Sequence, residues 1–79
     1  MKKALDLIFP QDLIREPMIY RMSKQFDVVF NIRRAKITEK VGEMVLELEG
    51  DPLVLEKAVN WLKSQGIRVE PVTHDAVEG

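Results

Sequence analysis

Asp27-Val28-Val29-Phe30-Asn31-Ile32-Arg33-Arg34-Ala35-Lys36-Ile37 is the stretch from which the rest of the chain is read. Val28, Phe30 and Ile32 alternate with Val29, Asn31 and Arg33, the period-two pattern of a strand with one face buried and one open. Asn31 and Arg33 then project from the open face. After Arg34 the apolar parity changes, because Ala35 and Ile37 are odd where Phe30 and Ile32 are even. Either the strand ends there or a bulge re-aims it. Asparagine is disfavoured in strands, so Asn31 marks a hydrogen-bonding task, a bulge or a tolerated exposed position.

Working towards the N-terminus, Met18, Ile19, Met22 and Phe26 recur at helical spacing after Pro17, which suits a first helical turn. Glu16 beside it puts negative charge at the positive end of the helix dipole. Before that, Gln11 to Arg15 is a connection with two apolar residues, Leu13 and Ile14. Ala4 to Phe9 is an alternating strand that Pro10 ends.

Towards the C-terminus, Glu39 to Gly42 reads as a hairpin turn, and the strand Glu43 to Glu49 points Met44, Leu46 and Leu48 inward. Gly50-Asp51-Pro52 supplies a turn glycine, an Asp N-cap and a proline at the first helical position. Leu55, Ala58, Val59 and Leu62 follow at i, i+3, i+4, i+7 spacing, and Gly66 stops the helix. Ile67, Val69 and Pro71 alternate in a fourth strand. The order predicts an α+β, ferredoxin-like βαββαβ fold: a four-stranded antiparallel sheet with two helices on one face. The other face is bare, and by parity it carries Asp6, Ile8, Asn31, Arg33, Val45, Glu47, Glu49, Arg68 and Glu70.

The chain of 79 residues is expected to be one domain, 1–79, with an ordered core from about residue 4 to 72 and a polar tail over 73–79. It has no cysteine, so neither disulfides nor thiolate metal sites contribute. Twelve Lys and Arg against thirteen Asp and Glu give a net charge of −1, no footprint for nucleic acid. Lys2 and Lys3 begin like a secretory leader, but Asp6 and Pro10 interrupt it, and no run approaches the roughly 20 apolar residues of a membrane span. A cytoplasmic protein that inserts in no membrane is the expectation, with free-standing chain and fragment of something larger both left open.

Catalysis needs a positioned acid, base, nucleophile or metal. His74 is the single histidine and falls in the tail; Ser23 and Ser64 have no nearby histidine in sequence. There is no glycine-rich phosphate loop, paired-cysteine motif or HExxH pattern. No enzyme activity, cofactor or metal is therefore expected. The start of the first helix, the far end of the second strand and the following hairpin share one edge of such a fold. Helix N-terminal amides attract carboxylates, and Arg33, Arg34 and Lys36 would add positive charge. An amino-acid-sized anion fits this better than a polynucleotide.

Val29-Phe30-Asn31-Ile32-Arg33, set between Pro17-Met18-Ile19 and Gly42-x-Met44-Val45-Leu46-Glu47-Leu48-x-Gly50, resembles the NIL domain, named for an Asn-Ile-Leu motif in its second strand. Ala58-Val59-x-Trp61-Leu62-x-x-x-Gly66-Ile67-x-Val69-Glu70 is similar to the family's end, so the likeness runs from about residue 4 to 72. The resemblance implies a ferredoxin-like fold akin to ACT regulatory domains. It also implies the company such domains keep: the C-terminus of methionine importer ATPase subunits, where they bind methionine and pair across subunits to inhibit transport, or iron–sulfur ferredoxin modules, or free-standing chains. Asn31 and Ile32 match the motif, and Arg33 stands where it has Leu, which leaves the ligand open between methionine and another amino acid.

The expected function is a small-molecule binding regulatory module acting as a homodimer, in which a ligand shifts the pairing of two domains. Asn31 would hydrogen-bond the amino acid, Arg33 would meet its carboxylate, and Ile8 and Met18 would give apolar contact. The alternative is a protein-interaction module whose bare face docks a ferredoxin-like or sulfur-metabolism partner and takes no small molecule; a transporter is the partner expected under the first reading.

Overall fold

The computed structural model describes residues 1–72; the tail from residue 73, with His74, lies outside the described residues. Strand β1 (Lys2–Phe9) is followed by a short 3₁₀ turn (Gln11–Leu13) and helix α1 (Met18–Gln25). Strands β2 (Val29–Ile37) and β3 (Gly42–Glu49) form a hairpin, and helix α2 (Pro52–Ser64) leads to β4 (Arg68–Pro71). The sheet runs β2-β3-β1-β4 with every neighbouring pair antiparallel. This is the ferredoxin-like arrangement expected from the element order.

The best-specified element locally is α2. Asp51 Oδ1 accepts from the N–H of Leu53 at 2.9 Å and of Val54 at 3.4 Å, and Pro52 occupies the first turn, where its missing N–H costs nothing. At the other end Gly66 adopts φ +98°, a conformation open to glycine at little cost, and the Ile67 N–H reaches back to Leu62 O at 3.2 Å. Leu55, Ala58 and Leu62 thereby face the sheet and are buried. They meet Leu5, Leu7, Phe9, Leu46 and Leu48 from the two central strands and Met18 and Met22 from α1. Each of the larger side chains contributes about 1.5–3 kcal/mol by leaving water. Trp61 packs edge-on against Phe26, ring centroids 6.4 Å apart, closing the gap between the helices.

Two expectations are corrected, and the choice left open in β2 between a strand end and a bulge is settled. The parity change in β2 is a bulge: the register with β3 slips between Ile32 and Arg34, so Arg33 is the extra residue, and Arg34 and Lys36 join Asn31 on the open face. Phe30 and Ile32, expected to be buried, are 39% and 48% exposed, and every residue of β2 is exposed. Parity does put both on the helix side, opposite Leu48 and Leu46. The helices, however, lie over β1, β3 and β4 and stop short of this edge. Val45, expected to point outward, is only 3% exposed although it shares the open face with Asp6 and Arg34, its cross-strand partners. Long polar neighbours bury it.

Gly42 also has a different task from the turn expected. It opens β3, pairs with Phe9 on one side and Ile37 on the other, and is buried. A Cβ there would stand 2.9 Å from Ile14 Cγ1 and 3.1 Å from Phe9 Cβ. The absence of a side chain lets the connection after β1 fold down onto the sheet.

Candidate functional site

The hairpin end of the sheet and the start of α1 enclose an apolar cavity of about 220 Å³. Phe9, Ile14, Pro17, Met18, Ile37 and Met44 contribute to its wall, with Glu16, Ile19 and Tyr20. This is the edge where helix start, strand end and hairpin were expected to meet. Ile37 reaches the wall because the bulge at Arg33 turns the odd residues of β2 to the helix side. Gly42 permits it because Ile14 is free to approach.

The opening turn of α1 is unusually open to a hydrogen-bond acceptor. Pro17 stands at the N-cap with no side-chain cap. The Met18 N–H donates to Glu16 O at 2.8 Å and the Arg21 N–H to Pro17 O at 3.0 Å. The N–H groups of Ile19 and Tyr20, between them, have no hydrogen-bond partner among the described residues. Both residues line the cavity. Nearby, Glu16 is ion-paired with Arg21 at 2.9 Å on the surface. An apolar hole beside two unsatisfied N–H donors and the positive end of a helix suits a small molecule with an apolar chain and a carboxylate.

The four residues singled out from sequence do not come together. Met18 is 2% exposed and belongs to the cavity. Asn31 lies on the opposite face of the sheet, across from Glu47, and Arg33 at the bulge donates to Glu47 Oε2 at 3.1 Å. Ile8 is on that same open face but two strands away, between Glu43 and Arg68 and towards the other end of β3 from Glu47. Arg34 and Lys36 likewise line a polar crevice with Glu43 and Val45 on the open face, so they do not supplement the α1 terminus. The wall residues Phe9, Ile14, Ile37 and Met44 were missed as site residues. Only the parity switch before Ile37 signalled one of them.

The open face is electrostatically uneven. Asp6 lies opposite Glu70 on β4 and beside Glu43, which pairs with the next open-face residue, Ile8. Burial raises the Asp6 pKa above its ordinary value of 3.8; a hydrogen bond with Glu43 and repulsion from Glu43 and Glu70 raise it further, and Arg34 opposes them. Of the two Asp6 oxygens, Oδ1 is buried and has no hydrogen-bond partner among the described residues. No group of three His, Cys, Asp or Glu side chains among the described residues is arranged to hold a metal ion. No helix among them is long and apolar enough to cross a membrane.

Fold and cavity together describe a small ferredoxin-like α+β domain with an apolar cavity between its first helix and its hairpin end. The NIL domain family model matches residues 3–71, and the chain belongs to the NIL domain family. It is 37% identical over 59 residues to "Methionine import ATP-binding protein MetN 2" of Acinetobacter baylyi, covering 70% of this chain and 17% of that protein. It is 34% identical over 68 residues to "Methionine import ATP-binding protein MetN" of Helicobacter hepaticus, covering 81% and 19%. The chain thus spans about a fifth of the length of these relatives. The C-terminal domain of an ABC transporter/ATP-binding protein from Enterococcus faecalis has the same fold, with a TM-score of 0.80 over 91% of this chain and 84% of that one at 20% identity.

Proposed function

We propose that the chain is a cytoplasmic regulatory module that binds an amino acid, methionine foremost, and acts as a pair of copies. The observation that carries this reading is the apolar cavity beside the unpartnered N–H groups of Ile19 and Tyr20. The ligand's carboxylate accepts from those two donors, and its side chain enters between Met18, Met44 and Ile37. Methionine suits such a wall, because an unbranched thioether adapts to an irregular apolar surface lined by other flexible side chains. A cavity of this size is below the usual range for drug-sized ligands and matches a single amino acid. Its relatives are import ATPases for methionine, which supports methionine as the first ligand to test and an importer as the regulated partner. Asn31 and Arg33 then belong to the surface that meets a second copy, and Ile8 has no part in the cavity.

Thermal unfolding and calorimetry with each of the twenty amino acids test the reading. An amino acid present at about 100 times its dissociation constant stabilises the fold by roughly 2.7 kcal/mol. We expect such a shift with methionine or another long apolar amino acid, and its loss in Ile19→Trp, which fills the cavity from a half-buried wall position. No shift with any amino acid would refute small-molecule binding. The second reading, a module that docks a ferredoxin-like or sulfur-metabolism protein without a small molecule, is favoured by the exposure of Val29, Phe30, Ile32 and Ile37 along β2.

A further inference from the structure

We propose that the crevice between Arg34, Lys36 and Glu43 on the open face of the sheet is a second ligand site, separate from the apolar cavity, and that it takes a small oxyanion, a phosphate or a carboxylate group. The proposal does not rest on the amino-acid reading above. The two sites lie on opposite faces of the sheet and share no residue.

Two rows of side chains cross this part of the face. One runs Arg34, Val45, Asp6, Glu70 from β2 to β4, and the next runs Lys36, Glu43, Ile8, Arg68. Opposite charges on neighbouring strands stabilise a sheet, and like charges destabilise it. Lys36 stands directly opposite Glu43, and Arg34 faces Asp6 across Val45, so the layout offers two ion pairs. Neither forms among the described residues. Glu43 instead shares a hydrogen bond with Asp6, acid against acid, and Arg34 and Lys36 stay together as a pair of cations. Ordinary pairing does occur elsewhere on this face, where Arg33 holds Glu47 at 3.1 Å and Arg68 holds Glu70 at 2.7 Å. A local rule broken at one place marks a spot where something else completes the charge.

The shape agrees with the charge. Arg34 and Lys36 are two residues apart along one strand, about 7 Å, and both line a crevice of about 240 Å³ whose wall includes the buried Val45. A guanidinium supplies a planar fork and an ammonium a movable point charge, the combination that suits a phosphate or carboxylate group. An apolar wall beside them screens that attraction less than open water does.

A hydrogen bond between two carboxyl groups needs one proton between them, so Asp6 and Glu43 together carry a single negative charge while they keep it. Arg34 and Lys36 then exceed it by one positive charge, which an oxyanion neutralises. Loss of the proton cancels the excess. The other charged groups turned to this spot are Glu70, held by Arg68 on β4, and Glu47, held by Arg33 on β2; the helices pack on the opposite face. Burial and the repulsion of Glu43 and Glu70 make Asp6 hold its proton, and Arg34 opposes them. An anion on Arg34 weakens that opposition. Anion binding and proton retention therefore favour each other, and affinity falls as pH rises through the titration of the pair.

Amide NMR of the chain, titrated with sodium phosphate, sodium acetate and sodium chloride at matched ionic strength, tests the site. We expect saturable shifts at Arg34, Lys36, Glu43 and Val45 with phosphate or acetate and none with chloride; the tighter of the two ions names the group the crevice takes. Arg34→Gln and Lys36→Gln, both at exposed positions, each weaken binding at least about tenfold. Ile19→Trp, in the cavity on the other face, leaves it unchanged. At about pH 8 Asp6→Asn binds the preferred ion several-fold more tightly than the wild type, and near pH 4 the two are alike. Shifts that follow ionic strength equally in all three salts, shifts centred on Ile19 and Tyr20, or an affinity indifferent to Arg34→Gln and Lys36→Gln overturn the site. Equal affinity of Asp6→Asn and wild type at about pH 8 overturns its coupling to the shared proton.

Discussion

Gly42→Ala tests the packing that shapes the cavity. The added Cβ lies 2.9 Å from Ile14 Cγ1 and 3.1 Å from Phe9 Cβ, against the roughly 3.5–4.0 Å at which carbon atoms attract. The glycine is clamped between Phe9 on β1 and Ile37 on β2, so the backbone has little room to retreat. Ile14 must yield, and the free volume it can enter is the cavity it lines. Overpacking of this kind costs about 1–3 kcal/mol. Against it, replacing glycine where φ is not positive lowers the entropy of the unfolded chain, worth about 0.4–1 kcal/mol. The net expectation is a loss of about 1 kcal/mol, a fall in melting temperature of about 4–8 °C for a domain of this size. The assay is urea unfolding of the wild type, Gly42→Ala, Ile14→Ala and the double variant. Gly42→Ala should cost less in the Ile14→Ala background, because the colliding carbon is gone. A stabilising Gly42→Ala, or a cost that Ile14→Ala does not relieve, would refute the argument.

Two further predictions follow from single side chains. Asp6 binds its proton more tightly in the folded protein than in the unfolded chain, so it contributes nothing unfavourable below about pH 3.8 and opposes folding increasingly as pH rises through its elevated folded value. Asp6→Asn should accordingly raise stability at pH 7 and have little effect near pH 3, read by urea unfolding at both; a loss at neutral pH would show the carboxylate to be stabilising. Asp51→Ala removes the acceptor for the Leu53 and Val54 N–H groups and should cost about 1 kcal/mol by the same assay, with Asp51→Asn recovering most of it.

Most of the architecture was legible without coordinates because it follows from local chemistry. Asp51-Pro52 begins α2 and Gly66 ends it through hydrogen bonds that span a few residues, and the spacing of Leu55, Ala58 and Leu62 gives the buried face. The parity switch between Ile32 and Ala35 announced the bulge, which is likewise a property of adjacent residues. Period two states which residues share a face; it does not state what lies over that face. Phe30 and Ile32 read as core and Val45 as surface, and tertiary structure reversed both, since α1 and α2 leave β2 uncovered while long polar side chains close over Val45. The cavity was hidden for the same reason: Phe9, Ile14, Met18, Ile37 and Met44 come from four separate elements and the connection after β1. Their convergence depends on the register that pairs Phe9, Gly42 and Ile37 across three strands. Sequence determined the elements and their order; only the assembled sheet decided which apolar residues it buried, which it left at an edge, and which it arranged around a hole.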